Sequence, residues 1–470
     1  MDEAAETFPL NVKRALSDAQ LQHAMVETGP RFVAKRAHAR DELPEFDRLR
    51  DISRDIKDHV LAHLDLYLEH YEEKVIQSGG KVHWAETAEE ARAAIIGICK
   101  RAGAKLVTKG KSMISEEIEL NHALQEHGLK AVETDLGEYL VQLRKERPSH
   151  IIAPAIHLTR KEVEADFRRV HTWLPASRDL TEIPTLVEEA RQVMRRKYLE
   201  ADVGITGANF LVAETGTSII VTNEGNGDLT QTLPKVHIVI ASIEKIVPTL
   251  EDAATILRVL ARSATGQDFS NYTTLSTGPC RERDPDGPAE YHVVILDNGR
   301  SNVLGTEFQD MLRCIRCGAC LNHCPVYQSI GGHAYGWVYP GPIGAVVTPA
   351  LIGIEKAKHL PNASTFCGRC EEVCPMRIPL PKLMRHWREK EFERHLTPAA
   401  IRSGLKLWAF FARHPRLYHL ATGIAVRVLG AFGRDSGRFT SLPFASGWTA
   451  DRDFPAPQGR TFHAMWKRRR

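Results

Sequence analysis

Apolar residues recur at intervals of three and four through Leu49, Ile52, Ile56, Val60, Leu64 and Leu68. That spacing predicts one face of a long helix inside a charged, helix-prone stretch from Ala15 to about Tyr71. Gly79-Gly80 ends the stretch, and the period then changes. Lys81-Val82-His83-Trp84-Ala85 reads as a strand, and Thr87 as the cap of a helix through Cys99. Ala104-Lys105-Leu106-Val107-Thr108 reads as a second strand, with a helix from Ser115 to Glu126 behind it. Further strand-like runs are Ile151-Ile152-Ala153, Phe210-Leu211-Val212, Ser218-Ile219-Ile220-Val221 and Val236-His237-Ile238-Val239-Ile240, closing at Val293-Val294-Ile295-Leu296. Short β-branched runs alternating with helices predict an α/β sheet.

Regular periodicity then gives way. From about Thr306 to Trp387 the chain is rich in cysteine, and Gly331 to Pro342 must be loop, held by packing of Tyr335, Trp337 and Tyr339. From about Leu396 it is basic, with apolar clusters such as Leu405-Lys406-Leu407-Trp408-Ala409-Phe410-Phe411. Four regions are expected: N-terminal helices (1–75), an α/β domain (76–300), a cysteine domain (301–392) and a basic helical segment (393–470).

Composition narrows the function classes. The 470 residues are 43% hydrophobic and 26% charged, as in an ordinary globular protein. A net charge of +3 argues against nucleic acid as a main partner. Met1-Asp2-Glu3 lacks the basic-then-apolar layout of a secretory signal, and no apolar run is long enough to span a membrane. An odd number of cysteines crowded into CxxC repeats fits a reducing compartment and metal ligation. The expectation is a cytoplasmic protein.

Seven of the nine cysteines carry the chemistry: Cys314-x2-Cys317-x2-Cys320-x3-Cys324-Pro325 and Cys367-x2-Cys370-x3-Cys374-Pro375. Thiolates at this spacing with a following proline are ligands of cubane iron–sulfur clusters, and the cysteine before the proline ordinarily serves the other cluster. The crossing rule assigns Cys314, Cys317, Cys320 and Cys374 to cluster one, and Cys324, Cys367 and Cys370 to cluster two. Cluster two then has three cysteines, because Ser364 stands where a complete second run would have its first. It is a three-iron cluster, or a four-iron cluster with a non-cysteine fourth ligand; His323, Asn362 and an exogenous group are open, and Ser364 oxygen is disfavoured as too hard. Structural zinc is the alternative, but seldom uses seven cysteines in this pattern. Arg313, Arg316 and Arg369 stand beside the ligands, either tuning a cluster's potential or as solvated loop charges. Cys99, in an apolar helix, reads as core, and Cys280 follows Gly278-Pro279 in a loop.

In the α/β region, Gly204 to Asn209, Ala213 to Thr217 and Thr222 to Asp228 combine glycine with hydroxyl and carboxylate residues. At strand ends such segments form either a small anion pocket or plain tight turns; Glu214 is the carboxylate of interest. Neither GxGxxG nor a Walker loop is present, so no dinucleotide or ATP site is expected.

Gly207-Ala208-Asn209-Phe210 through Glu214-Thr215-Gly216-Thr217, with Asn223-Glu224-Gly225-Asn226, resembles the lactate-utilisation (LUD) domain. Followed by Cys314 to Cys320, His333-Ala334-Tyr335-Gly336-Trp337 and Cys367-Gly368-Arg369-Cys370, the chain resembles the bacterial lactate-utilisation protein B family over nearly its whole length. The resemblance implies a coenzyme A transferase/ribose-5-phosphate isomerase-like α/β domain followed by an α-helical two-cluster ferredoxin-like domain. It also implies that the protein acts with sister lactate-utilisation subunits to oxidise L-lactate to pyruvate without NAD, carrying electrons on these seven cysteines. Two alternatives compete: a self-contained oxidoreductase binding a hydroxy acid in the LUD pocket and using the open cluster site, and a regulatory or assembly protein with redox-sensing clusters. Leu405, Trp408, Phe411 and Leu417, interleaved with Lys406, Arg413 and Arg416 and broken at Pro415, form either a basic amphipathic surface for a membrane or sister subunit, or a hairpin packed on the cluster domain.

Overall fold

A computed structural model describes residues 3–433, 436–442, 448–449 and 452–469; Met1, Asp2 and Arg470 lie outside them. The chain forms two compact units, Met1–Glu391 and Phe392–Arg470.

Among the described residues ten strands occupy the first unit: β1 (Lys81–Ala85), β2 (Leu106–Gly110), β3 (Lys130–Glu133), β4 (Val203–Gly207), β5 (Phe210–Val212), β6 (Thr217–Thr222), β7 (Val236–Ser242), β8 (Ile246–Val247), β9 (Tyr272–Ser276) and β10 (Glu290–Leu296). Six form a wholly parallel sheet in the order β1-β10-β7-β4-β2-β3. The other four form a second sheet, β8-β5-β6-β9. In β2, β4 and β7 every residue is buried, as a parallel strand covered on both faces requires. Alternate residues feed the two cores. Ile238, Ile240, Val294 and Leu296 pack with Ile95 and Cys99 of helix Ala88–Arg101, whereas Val239, Ala241, Val293 and Ile295 pack with Leu68, Tyr71 and Val75 of helix Leu64–Gln77. From β2 the chain steps outward to β3, then returns to β2's other side as β4, continuing through β7 to β10. The reversal between β2 and β4 opens a crevice at their carboxyl ends.

Several expectations need correction. The long N-terminal helix is two, Phe46–Ala62 and Leu64–Gln77, separated at His63. Its buried face is Phe46, Leu49, Arg50, Ser53, Lys57, Val60 and Leu61, while Ile52 is exposed: polar side chains displace an apolar one because the helix packs on a polar site. The predicted helix 115–126 breaks at Glu119, whose φ of 51° interrupts the ladder. Ile151-Ile152-Ala153 forms no strand; the apolar run is an irregular bend, with Ile152 against Gly318 of the cysteine region. β2 starts two residues after Ala104, and β3, β4, β8 and β9 were not anticipated.

The cysteine region is built from short helical turns, with helix Gly341–Ile352 buried through Pro349. Within residues 331–342 Tyr335, Trp337 and Tyr339 are buried, the aromatic packing expected there, but the segment is not all loop: His333–Tyr335 form a 3-10 turn and helix Gly341–Ile352 begins inside it. Gly332 is required there, since a Cβ would come 1.7 Å from the Ser149 carbonyl oxygen. In the second unit, helices Ala399–Arg413 and Pro415–Phe432 bury no residue, with Pro415 in the first turn of the second. Strands β11 (Arg438–Phe439) and β12 (Phe454–Pro455) pair antiparallel, and helix Phe462–Trp466 follows. Among the described residues no helix is long and apolar enough to cross a membrane.

Candidate metal centre

The two cysteine runs repeat one device. Gly318 (φ 72°) and Gly368 (φ 81°) precede one-turn helices Ala319–Asn322 and Arg369–Glu372, so Cys317-Gly-x-Cys320 and Cys367-Gly-x-Cys370 each turn through a left-handed glycine. Cys324 is the N-cap residue of helix Pro325–Ile330. Backbone N–H groups of Arg316 and Ile378 donate to Cys314 Sγ (3.4 Å) and Cys374 Sγ (3.5 Å).

Electrostatics reveal which thiols are neighbours. Burial, then Cys374 and Cys314, pushes Cys317 up to about 12. Burial pushes Cys374 up to about 11, with Cys314 adding to it. Cys320 is raised by burial and then by Cys317, Cys314, Cys370 and Cys374, so it faces both runs. Cys324 is raised by burial and by Cys367, and Cys370 is pushed to about 12 by burial, Cys324 and Cys367. Cys314, Cys317 and Cys374 thus act on one another, as do Cys324, Cys367 and Cys370, while Cys320 feels Cys370 as well as Cys317, Cys314 and Cys374. Tyr335, wholly buried, feels both Cys324 and Cys320.

Buried cations surround the first group. Arg36 donates to the Val373 carbonyl (2.8 Å), and Arg50 to those of Glu372 (2.6 Å) and Cys374 (2.7 Å). Burial lowers both guanidinium groups, Arg36 to about 10, while Cys317 and Cys374 respectively oppose the drop. Lys57 donates to the carbonyls of Glu244 and Ile246 (3.0 Å to the latter). Burial drops Lys57 to about 7 and Lys245 to about 8, with Cys314 pulling both back up. Arg316 stacks on Tyr339 (4.2 Å) and faces Glu244 (3.5 Å). Beneath them Arg300 pairs with Glu117 (2.7 Å) and Glu244 (3.0 Å). Lys57, Lys245, Arg300 and Arg316 thus face two carboxylates, a surplus of positive charge suited to a group carrying several thiolates.

The three-cysteine group is more open. Cys367 is exposed, and its thiol is lowered by the Arg369 backbone N–H, the Thr365 hydroxyl and the Arg369 charge. Ser364 Oγ accepts from the Phe366 N–H (3.1 Å). Asn362 donates through Nδ2 to the Lys358 carbonyl (3.0 Å) and Glu391 (2.8 Å). His323 binds the Ala319 carbonyl through Nδ1 (2.9 Å), and burial lowers it to about 4.

The remaining candidates separate. Cys99 is core, raised to about 12 by burial. Cys280 lies in a loop, its N–H donating to the Pro288 carbonyl (2.8 Å). Of the three arginines Arg316 is buried in the site, Arg313 pairs with Asp58 and Asp310, and the exposed Arg369 pairs with Glu372 while its charge also lowers Cys367. Glu214 is exposed and accepts from the Leu250 N–H (3.2 Å) in the first turn of helix Leu250–Ala264, whose N-cap is Thr249; it lines none of the described cavities. Asn223 ties the β6 end to Gln267 and Asn271, a turn function, whereas Gly207 to Asn209 do line a cavity. Among the described residues, one trio of metal-capable side chains converges within 4.8 Å, Glu146, His157 and His333, and it includes no cysteine.

Arg36, Arg50, Lys57 and Lys245 lie far from the cysteines in sequence, and Arg300, 14 residues before Cys314, belongs to no motif. For Arg50 and Lys57 a signal exists: with Phe46, Leu49, Ser53 and Val60 they fall on one helical face.

Three family models match in succession: the LUD domain at residues 68–296, a 4Fe-4S dicluster domain at 310–378, and Lactate utilisation protein B, C-terminal, at 379–470. Lactate utilization protein B of Macrococcus caseolyticus is 43% identical over 99% of this chain and 97% of its own, and that of Bacillus subtilis 41% over 98% and 96%. An uncharacterized electron transport protein, YkgF, of Escherichia coli is 43% identical over 98% and 96%. A solved DUF162 family protein from Deinococcus radiodurans aligns with 50% of this chain and 98% of its own at 15% identity and a TM-score of 0.28, too low to argue from. With an α/β domain on a parallel sheet, a 4Fe-4S dicluster domain and full-length relatives at this identity, the chain belongs to the lactate utilisation protein B family.

Proposed function

We propose that this protein is the iron–sulfur electron carrier of a multiprotein system that oxidises L-lactate to pyruvate without NAD. Cluster one is assigned to Cys314, Cys317, Cys320 and Cys374, and cluster two to Cys324, Cys367 and Cys370. The observation that carries the reading is the grouping of the thiols across the two runs, the first group ringed by Arg36, Arg50, Lys57 and Lys245. A single tetrahedral zinc would hold its thiolates about 3.8 Å apart; no cysteine belongs to the described trio that converges within 4.8 Å. Bound clusters supply one-electron steps at potentials set by charge, hydrogen bonds to sulfur and exposure. Around cluster one the buried cations favour the more negative, reduced state, and the Arg316 and Ile378 N–H groups act in the same sense. Exposed Cys367 makes the cluster-two edge the side a sister subunit would approach. The relatives' names, lactate utilization and electron transport, point the same way. The α/β domain is read as coenzyme A transferase/ribose-5-phosphate isomerase-like, the cysteine region as ferredoxin-like, and the boundaries as near 75, 300 and 392.

The test mixes anaerobically purified, cluster-loaded chain with its sister subunits and L-lactate. Cluster absorbance should bleach only when those subunits are present. Oxidation of lactate by this chain alone with an artificial acceptor would remove the carrier reading, and metal analysis dominated by zinc would remove the clusters. The open corner gives a further expectation. Ser364→Cys should slow loss of cluster-two iron to a chelator by about tenfold, followed by absorbance decay, because a thiolate replaces a weaker or exchangeable ligand.

A further inference from the structure

His333 opens the His333-Ala334-Tyr335-Gly336-Trp337 run, and it meets Glu146 and His157: one ligand atom of each lies within 4.8 Å of the others. The three come from separate segments. Glu146 follows helix Leu136–Arg144, His157 lies in the irregular stretch before helix Arg160–Val170, and His333 begins a 3-10 turn of the cysteine region. Their outer partners fix the ring protons. His333 Nε2 lies 2.7 Å from the Arg147 carbonyl oxygen, which can only accept, so Nε2 carries the hydrogen and Nδ1 keeps a lone pair. His157 Nδ1 lies 2.8 Å from Ser149 Oγ, whose own hydrogen goes to the Pro154 carbonyl (3.1 Å). Nδ1 is therefore the donor, and the lone pair on His157 Nε2 faces Glu146 Oε2 at 2.9 Å. Two acceptors this close need a cation between them. A proton on His157 would serve that pair alone, whereas a metal ion serves all three ligand atoms. Imidazoles that donate their outer N–H to a hydroxyl or carbonyl are the arrangement of metal-bound histidine. Arg144 does not supply the missing charge. It reaches the other oxygen, Glu146 Oε1 (3.2 Å), and is shared with Glu162 (3.1 Å) and Asp166 (3.6 Å). A cavity of about 310 Å³ adjoins the trio, its charged walls being Arg14 and Arg144 against Asp18, Glu146 and Glu162. Acid outweighs base there, and the Glu146 side chain is 32% exposed, which leaves an ion a way in.

We propose that Glu146, His157 and His333 bind one zinc ion, its fourth position open to the cavity. Two imidazoles and a carboxylate are a ligand set of open tetrahedral zinc, with bonds of about 2.0–2.2 Å and ligand atoms therefore about 3.4 Å apart. Magnesium and calcium prefer oxygen throughout. The ion joins the segment after helix Leu136–Arg144 to the cysteine region, beside Gly332, which packs on the Ser149 carbonyl, and two residues before the buried Tyr335. The site is independent of the cluster assignment, since it uses no cysteine.

The test loads the anaerobically purified full chain with one equivalent of zinc sulfate, desalts it and counts metals. One zinc should remain per chain beside the cluster iron. Zinc-edge X-ray absorption should show nitrogen and oxygen at about 2.0–2.2 Å, with imidazole scattering and no sulfur. In competition with a chromophoric chelator, Glu146→Gln and His333→Ala should each weaken zinc by about a hundredfold or more. Ser149→Ala should weaken it about tenfold, because it loosens His157 without removing a ligand. Iron content and cluster absorbance should stay unchanged in all three variants, which shows that they fold. A chain that retains no zinc, full zinc affinity in Glu146→Gln and His333→Ala, or sulfur in the zinc shell would overturn the site. Extra iron displacing zinc from the trio would overturn the choice of metal. None of these readouts needs lactate or a sister subunit, so their failure leaves the electron-carrier reading standing. Zinc held on nitrogen by a chain that carries no clusters would support this site while removing that reading.

Discussion

Cys374→Ala is expected to abolish the four-cysteine cluster and spare the three-cysteine one, although Cys374 belongs to the second run. Iron should fall by about half, and the resonance signal that survives should be that of the cluster on Cys324, Cys367 and Cys370. The argument rests on which thiols meet. Cys374 feels Cys314, and Cys317 feels Cys374 before Cys314, whereas Cys324 feels Cys367. If each run built its own cluster, Cys374→Ala would remove the second signal and leave the first, and the crossing would be refuted. Cys324→Ala is the reciprocal control: it should remove the three-cysteine cluster although it lies in the first run. The effect should extend beyond iron. Arg36 and Arg50, both buried, reach the carbonyls of Val373, Glu372 and Cys374, and without bound thiolates their charge loses its counterpart. A lower thermal midpoint should therefore accompany the loss of cluster one.

Local pattern was enough where one residue type decides the structure. β1, β5 and β7 are dominated by apolar alternation or continuous burial, and their runs are visible as strands. β4 was hidden by Gly204 and Gly207, which read as turn residues. In the fold Gly204 is a close approach: a Cβ there would come 1.8 Å from the Thr230 carbonyl oxygen of the helix crossing the strand. Ile151-Ile152-Ala153 erred the other way, because three apolar residues can serve a packed bend as well as a strand. The cysteines announce themselves by spacing, but their surroundings do not. Arg36, Arg50, Lys57, Lys245 and Arg300 reach the centre through tertiary contacts with partners 56 to 337 residues away, which no local period encodes. The cavity after β4 was half visible: Gly207 to Asn209 mark it, yet Glu214, the carboxylate that drew attention, serves the first turn of a helix.

Arg300→Met should destabilise the first unit by about 3–5 kcal/mol at neutral pH, read from denaturant unfolding, because it strands two buried carboxylates. Arg300 donates to both oxygens of Glu117 (2.9 and 2.7 Å) and pairs with Glu244 (3.0 Å), and all three side chains are almost fully buried. Tyr339 (2.6 Å) and Asn298 (2.7 Å) also donate to Glu117, so this carboxylate joins the sheet edge to the segment that carries Tyr339. Burial alone would raise both acids; Arg300 outweighs it, holding Glu117 below its ordinary value and, with Arg316, Glu244 at about 2. Such depressed carboxylates stabilise the fold above the unfolded value of about 4.3, and that contribution fades as pH falls toward 2. Without Arg300 burial raises them instead, so they oppose folding at neutral pH and less so once protonated. The stability gap between wild type and Arg300→Met should therefore be widest at the alkaline end, narrow first as pH falls through the variant's raised carboxylate values, and go on narrowing from about 4.3 toward 2 as the wild-type contribution fades. A gap independent of pH would mean that lost packing, not unpaired charge, accounts for the defect. A conservative Arg300→Lys keeps the charge but loses the two-pronged contact with Glu117, and should fall between the two at neutral pH while keeping the same sense of pH dependence.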